Sequence, residues 1–142
     1  MRLLRAEGVD ALVDVRDVPW SHKPGFSKKP LQEGLLAAGV AYVPAPFAGN
    51  PKRLRAMAAS TEEALARYAR HLDDEPQVLA QFEELIAELQ AQGKRPCLLC
   101  FEDDPVECHR KILAERWAEA KKGRSVRHLR FAAVRRASKP KR

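Results

Sequence analysis

The stretch VDALVDVR, residues 9–16, is a short run of small and β-branched apolar residues that ends at charged side chains. Apolar runs of this length are typical of strands covered on both faces, as in a parallel sheet. Residues 40–43 and 96–101 form two further runs of this kind, with helical sequence between the three. Strands that alternate with helices predict βαβ units. We therefore expect an α/β fold, three layers deep, whose mostly parallel sheet carries helices on both faces.

Helix signals flank these strand candidates. Residues 31–38 have helical composition and stop at Gly39, a residue type suited to the position just after a helix. Ser60, with Glu63 three residues later, forms a capping-box pattern and predicts a helix to about residue 72. The clearest amphipathic segment runs up to Gly93, with an apolar stripe made of Val78, Phe82, Leu85, Ile86 and Leu89.

The last third of the chain predicts one more helix and a weak strand. Asp104 as a cap and Pro105 in the first turn would start a helix that carries Leu113 and Trp117. Residues 125–131 are the weak strand candidate. We expect a single α/β domain over residues 1–131 and a basic, disordered tail over residues 132–142.

Composition limits the class of protein. The chain of 142 residues is 45% apolar, enough for one hydrophobic core. It contains neither an apolar run of membrane-spanning length nor a secretory signal, so we expect a cytoplasmic location and no membrane partner. Three clustered cysteines, Cys97, Cys100 and Cys108, indicate reduced thiols rather than a disulfide framework.

Polar residues follow each predicted strand, and in open α/β sheets ligands bind beyond the carboxyl ends of the strands. Three loops are therefore expected to meet at one cleft. Arg16, Lys23 and Arg110 would share it with the amides of a helix N-terminus, which suits an anion such as phosphate. The alternative is that Arg16 pairs with a neighbouring carboxylate, namely Asp14, Asp17 or Glu102.

Cys108 is the candidate reactive residue. Near a helix start and beside His109 and Arg110, its thiolate would be favoured, as in nucleophilic or oxidisable cysteines. The catalytic assignment gives Cys108 the role of nucleophile or redox thiol, His109 that of general base or thiolate partner, and Glu102 that of orientation or proton transfer. Cys97 and Cys100 are expected to be packing residues.

A metal site is a third interpretation of the same residues, with Cys100, Cys108 and His109 as ligands and Glu102 as the fourth. The spacing argues against it, because structural zinc sites usually show two pairs of closely spaced ligands. Cys97 and Cys100 are one such pair, but a separation of three places them on opposite faces of a strand. We therefore expect no metal.

Together, several motifs resemble the bacterial and archaeal family named domain of unknown function 488. The resemblance covers roughly residues 5–130 and is carried by DVR (14–16), Pro19, Ser21, PGF (24–26), Tyr42, Pro46, Gly49, LLCFE (98–102) and CHR (108–110). It implies a three-layer α/β domain without a settled activity, and it adds Ser21 to the anion-binding set. The implied signature positions are Arg16, Ser21, Tyr42, Cys100, Glu102, Cys108, His109 and Arg110.

The chain also departs from the family pattern. His22 stands where the family usually has arginine, and Ala48-Gly49-Asn50 stands where Leu-Gly-Gly is usual. A first strand usual in the family lacks a counterpart after Met1, which leaves two explanations: a start codon placed too late, or a variant that covers the sheet edge by other means. An exposed strand edge has to be covered, so we expect a homodimer if the second explanation is correct.

We therefore predict a protein that binds a phosphate-bearing small molecule or nucleic acid in the cleft; the sequence leaves open whether it is an enzyme. No nucleotide-binding glycine fingerprint is present, so cofactor and substrate stay open. The alternative is a noncatalytic module that binds nucleic acid or protein through its tail. Ten of the 26 basic residues lie in 121–142, which contains no acid, and the preceding residues carry 16 basic against 19 acidic side chains.

Overall fold

The fold was analysed in a computed structural model that describes residues 2–18, 25–100 and 108–129. In chain order the elements are α1 (Arg2–Ala6), β1 (Ala11–Asp14), α2 (Lys28–Ala37), β2 (Ala41–Pro44), a 3-10 turn (Pro46–Ala48), α3 (Lys52–Met57), α4 (Thr61–Asp74), α5 (Pro76–Ala91), β3 (Pro96–Leu99) and α6 (His109–Glu119). No described helix combines the length and the apolar character needed to span a bilayer.

Three parallel strands form the sheet within the described residues, in the order β2-β1-β3. In register, Leu12 of the central strand lies between Tyr42 and Cys97. All four residues of β1 are buried, whereas the flanking strands are only partly so. The run that predicted a strand in the sequence is therefore the centre of the sheet.

The two faces of β1 belong to two separate hydrophobic cores, because successive side chains of a strand point to opposite faces. Ala11, Val13 and Val15 pack in the larger core, which also contains apolar side chains of α4, α5 and α6: Tyr68, Leu72, Val78, Phe82, Ile86, Leu89 and Leu113. Leu12 packs in the smaller core with residues of α2. The predicted α/β fold with helices on both faces of a parallel sheet is confirmed.

Capping explains where two of the helices end or begin. The Ser60 side chain accepts a hydrogen bond from the Glu63 amide at 3.1 Å, and the Glu63 carboxylate accepts one from the Ala59 amide at 2.8 Å. This confirms the capping-box pattern as the start of α4. Gly39 follows α2 with a φ of 75°, a left-handed conformation that favours glycine, so the predicted stop is also confirmed.

Two predictions for the last third of the chain were wrong, namely the start of α6 and the weak strand. Cys108 has an extended backbone and is the N-cap of α6, so this helix begins at His109 and not at the predicted cap, Asp104. Asp104 and Pro105 lie outside the described residues. The described part of the predicted strand 125–131, residues 125–129, forms no strand. Within it, Leu129 packs against the smaller core, whereas Val126 is exposed.

Two adjacent leucines of α2 provide a direct test of the smaller core. The Leu35 side chain is 0% exposed and that of Leu36 is 79% exposed. We expect Leu35→Ala to lower the free energy of unfolding by about 2–5 kcal/mol, because it removes buried contacts and leaves a cavity. Leu36→Ala should change it by no more than about 0.5 kcal/mol. Urea denaturation measures both, and equal losses would contradict the assignment of this core.

Candidate functional site

A cleft of about 320 Å³ lies beyond the carboxyl ends of the strands. Every strand contributes to it through the segment that follows it, together with the start of α4 and a few small or apolar side chains. The polar lining residues are Asp17 after β1, Asn50, Arg55, Ser60 and Thr61 after β2, and Cys100, Cys108 and His109 after β3. The three connections predicted to meet at one cleft do meet there.

Gly49 brings two of these connections into contact. A Cβ atom at this position would lie 2.6 Å from the Asp17 amide nitrogen and 2.7 Å from the Asp17 Cα, closer than side-chain atoms approach backbone. The segment after β2 therefore packs directly on the backbone after β1, which only glycine permits. This close approach places Asn50 beside Asp17 in the cleft wall.

Cys100, Cys108 and His109 form a buried cluster at the cleft. The Cys100 Sγ lies 3.3 Å from His109 Nδ1, and the Cys108 Sγ lies 3.9 Å from the same nitrogen. The sulfur and nitrogen atoms of the three side chains all lie within 4.8 Å of one another. Cys100 is also part of the larger core, so it packs there as predicted and faces this cluster as well.

The orientation of the His109 ring is determined by its other nitrogen. Nε2 lies 3.0 Å from the Val15 carbonyl oxygen, at the end of the central strand. Because a carbonyl can only accept, Nε2 carries a hydrogen and donates it, which leaves Nδ1 directed at the two sulfur atoms. The Tyr68 ring packs edge-on against the imidazole at 4.8 Å, and its hydroxyl donates to the Ala48 carbonyl.

Cys97 in β3 and Cys108 at the start of α6 have thiol pKa values shifted in opposite directions. The pKa of the Cys108 thiol, which lies just after the strand's connection, is lowered by its hydrogen bond with Cys100 and by His109, against the effect of burial. Its sulfur also accepts the Arg110 amide at 3.5 Å. Burial raises the pKa of Cys97, which packs in the smaller core. The prediction that Cys97 and Cys100 lie on opposite faces is confirmed.

Arg55 and Asn50, which the sequence did not identify as site residues, form the polar wall of the cleft. Arg55 Nε donates to the Asn50 carbonyl at 3.0 Å, and one terminal nitrogen lies 3.6 Å from Asp17. The Asn50 side chain is 5% exposed, and its Oδ1 finds no hydrogen-bond partner among the described residues. The basic segment KRLR, residues 52–55, directly after the Gly49 loop was the signal that could have revealed Arg55.

Arg16 lies in a buried network at the end of β1. Its Nε and a terminal nitrogen donate to both oxygens of Asp14, at 2.8 and 2.7 Å, and its other terminal nitrogen donates to the Phe26 carbonyl. The Tyr42 hydroxyl donates to Asp14 at 2.6 Å. Pairing with Asp14 was the alternative left open by the sequence, and Arg16 is absent from the cleft lining among the described residues.

The charges of this network shift two pKa values. Burial lowers the pKa of the Arg16 guanidinium, but the hydrogen bond and charge of Asp14 more than offset it, so the net shift is upward. Burial, followed by the hydrogen bond to Asp14, raises the pKa of Tyr42 to about 12.

The remaining predicted site residues are distributed as follows. Arg110 lies in the first turn of α6, half-buried, and its positive charge acts on the Cys97 thiol. It does not line the cleft in the described part of the chain. Ser21, Lys23 and Glu102 lie outside the described residues. The structure thus brings together Cys100, Cys108 and His109, and it places Arg16 and Tyr42 in a neighbouring network.

Removing the Asp14 charge tests that network. We expect Asp14→Asn to lower the free energy of unfolding by about 3–5 kcal/mol, because it breaks a buried ion pair in which Arg16 is only 2% exposed. The same change at the partly exposed Asp17 should cost at most about 1 kcal/mol. Urea denaturation compares the two variants, and a small loss in both would show that the buried pair contributes little.

The two tyrosines, Tyr42 and Tyr68, should resist ionisation in the folded protein. Burial raises the pKa of Tyr68 as well, well above the ordinary value. The folded state therefore keeps protons that the unfolded chain releases near pH 10, so their contribution to stability is full below about pH 10 and falls as the pH rises above it. Ultraviolet titration should show tyrosinate at about pH 10 only in a urea-unfolded control.

Comparison with known proteins identifies the chain at the level of its family. A search of curated proteins and a search of solved structures each gave no match. The family model described as Domain of unknown function DUF488 matches residues 1–117, which include β1, β2, β3 and most of α6. The chain therefore belongs to the DUF488 family of α/β proteins.

Proposed function

We propose that this DUF488 protein binds a small phosphate-bearing ligand, such as a nucleotide or the end of a nucleic acid, in the strand-end cleft. The observation that carries the proposal is that one cleft wall holds both the Arg55 guanidinium and the Asn50 Oδ1, which finds no hydrogen-bond partner among the described residues. The guanidinium attracts an anion, and the amide oxygen accepts a hydrogen bond. A phosphate-bearing ligand with a hydroxyl or amino group supplies both.

The charge of the cleft supports the binding of an anionic group. Arg55 is 39% exposed, and its long contact of 3.6 Å to Asp17 is weaker than a close ion pair, so a phosphate can compete for the guanidinium. Arginine binds phosphate oxygens through paired, charge-assisted hydrogen bonds. Thr61, the first residue of α4, also lines the cleft, and the N-terminal end of a helix adds partial positive charge.

The volume of the cleft agrees with the binding of a small ligand. A volume of about 320 Å³ lies at the lower end of the range for small-molecule sites. It suits a mononucleotide or a single terminal nucleotide, and it is too small for a duplex. The buried Asn50 amide oxygen would accept a hydrogen bond from the ligand and remove the cost of an unsatisfied buried acceptor.

The sulfur and imidazole groups of Cys100, Cys108 and His109 would face the ligand from another wall of the same cleft. Two uses of this cluster are compatible with ligand binding: direct reaction of the Cys108 thiolate, with His109 as base and Glu102 orienting the groups, or ligation of a metal ion. Direct contacts of Arg16, Ser21, Lys23 and Arg110 with the anion stay predictions. For Arg16 such a contact would require its pair with Asp14 to open.

Substitution of Arg55 tests the anion contact. We expect Arg55→Ala to weaken binding of inorganic phosphate and of nucleoside monophosphates by about tenfold or more, the value of a hydrogen bond to a charged group. Arg53→Ala is the matched control, because Arg53 is an exposed arginine of the same short helix and does not line the cleft. Isothermal titration calorimetry measures the affinities, and circular dichroism checks folding.

The results distinguish ligand binding in the cleft from nucleic-acid binding by the basic tail. Unchanged phosphate affinity in Arg55→Ala, or no saturable binding of these probes to the natural chain, would overturn the proposal. If the tail is the binding element, deletion of residues 132–142 abolishes retention of nucleic acid and flattens its salt dependence, whereas Arg55→Ala and Arg110→Ala leave both unchanged. If the cleft binds, the deletion leaves the affinity for mononucleotides unchanged.

A further inference from the structure

We propose that Cys100, Cys108 and His109 bind a zinc ion through two sulfur atoms and one imidazole nitrogen, with a fourth coordination position open to the cleft. The three side chains are buried, and their ligand atoms converge within 4.8 Å. They also line the cleft, so an ion among them would contact whatever the cleft holds. This proposal uses other residues than Arg55 and Asn50, and it holds or fails separately from the proposed function.

The distances agree with one tetrahedral ion. Zinc–sulfur bonds of about 2.3 Å and zinc–nitrogen bonds of about 2.0 Å at tetrahedral angles place neighbouring ligand atoms roughly 3.5–3.8 Å apart. The two sulfur–Nδ1 distances are 3.3 and 3.9 Å, on either side of this range. Each of these two distances lies within about 0.4 Å of the spacing that one tetrahedral zinc ion requires.

The hydrogen bond of His109 to Val15 also matches a metal ligand. A ligating histidine almost always donates its second ring N–H to a carbonyl or carboxylate, which sets the tautomer and the ring orientation. His109 Nε2 makes this contact with the Val15 carbonyl at 3.0 Å, and Nδ1 is left as the free lone pair. Tyr68 holds the imidazole from the side at 4.8 Å between ring centres. The nitrogen is thus oriented before any ion binds.

The presence of two sulfur atoms favours metal binding over a simple nucleophile and base. A thiol activated by histidine requires one cysteine, whereas both Cys100 and Cys108 face the same imidazole nitrogen. Cys97 and Cys100, which are closely spaced in the sequence, lie in different cores and cannot share an ion. Cys108, eight residues after Cys100, converges with it, in agreement with the ligand set that the sequence left open.

The three ligand atoms favour one kind of metal ion and one role for it. Two thiolates and one imidazole suit zinc, and the hard cations magnesium and calcium prefer oxygen ligands. Cysteine binds zinc as the thiolate, so both sulfur atoms would act as anionic ligands. Three protein ligands with one open position are typical of catalytic zinc, where the open position takes water or substrate. A phosphate oxygen in the cleft would suit that position.

Cobalt substitution provides the test. We expect the purified protein to carry close to one zinc per chain by elemental analysis, and the metal-free protein to take up one Co²⁺ with thiolate-to-cobalt charge-transfer absorption and the visible bands of a tetrahedral ion. Cys100→Ser and Cys108→Ser should each reduce the charge-transfer intensity by about half and weaken binding at least about tenfold. Cys97→Ser, the matched control in the other core, should leave spectrum and affinity unchanged.

A second measurement uses the natural chain, in case a buried substitution prevents folding. Bound Zn²⁺ should protect Cys100 and Cys108 from iodoacetamide, as located by peptide mass spectrometry, and a chelator should restore labelling, with Cys97 unaffected by either. Absence of the charge-transfer band, or a band of undiminished intensity in the folded Cys108→Ser variant, overturns the zinc site. An Arg55→Ala protein that keeps the band but loses phosphate affinity would separate the two proposals.

Discussion

The burial of the carboxyl end of β1 is the constraint on which the site depends. Asp14, Val15 and Arg16 are nearly inaccessible, so their polar groups must find partners inside the protein. Arg16 and the Tyr42 hydroxyl satisfy the Asp14 carboxylate, and His109 satisfies the Val15 carbonyl. The hydrogen bond of His109 to the Val15 carbonyl connects the start of α6 to the centre of the sheet. The cleft is therefore built on the buried, fully hydrogen-bonded end of the central strand.

The two buried groups of side chains at this edge of the sheet have different roles. The pair formed by Asp14 and Arg16 neutralises charge in the interior and joins β1 to the segment after it through Phe26. The cluster of Cys100, Cys108 and His109 lies on the side of the larger core and opens to the cleft. The signature positions of the family therefore fall into two neighbouring groups, one a buried ion pair and the other a cluster of sulfur and imidazole groups that lines the cleft.

Local signals in the chain predicted most of the elements correctly. The apolar runs predicted β1, β2 and β3, Ser60 with Glu63 predicted the start of α4, and Gly39 the end of α2. These signals work because hydrogen bonding and backbone conformation at a cap depend on residues a few positions apart. The start of α6 was predicted wrongly for the same reason: Asp104 and Pro105 match a cap pattern in the sequence, but the helix begins at His109, whose ring bonds to the distant Val15 carbonyl.

The sequence by itself determined the α/β class, the parallel strands, the opposite faces of Cys97 and Cys100 and the position of the cleft at the strand ends. These follow from side-chain periodicity and from the rule that parallel strands share one carboxyl edge. Only the tertiary structure showed that, among the described residues, Arg55 lines the cleft and Arg16 does not, and that Cys108 converges with Cys100. Such choices depend on contacts between segments far apart in the chain, where burial energy and exact distances determine the partners.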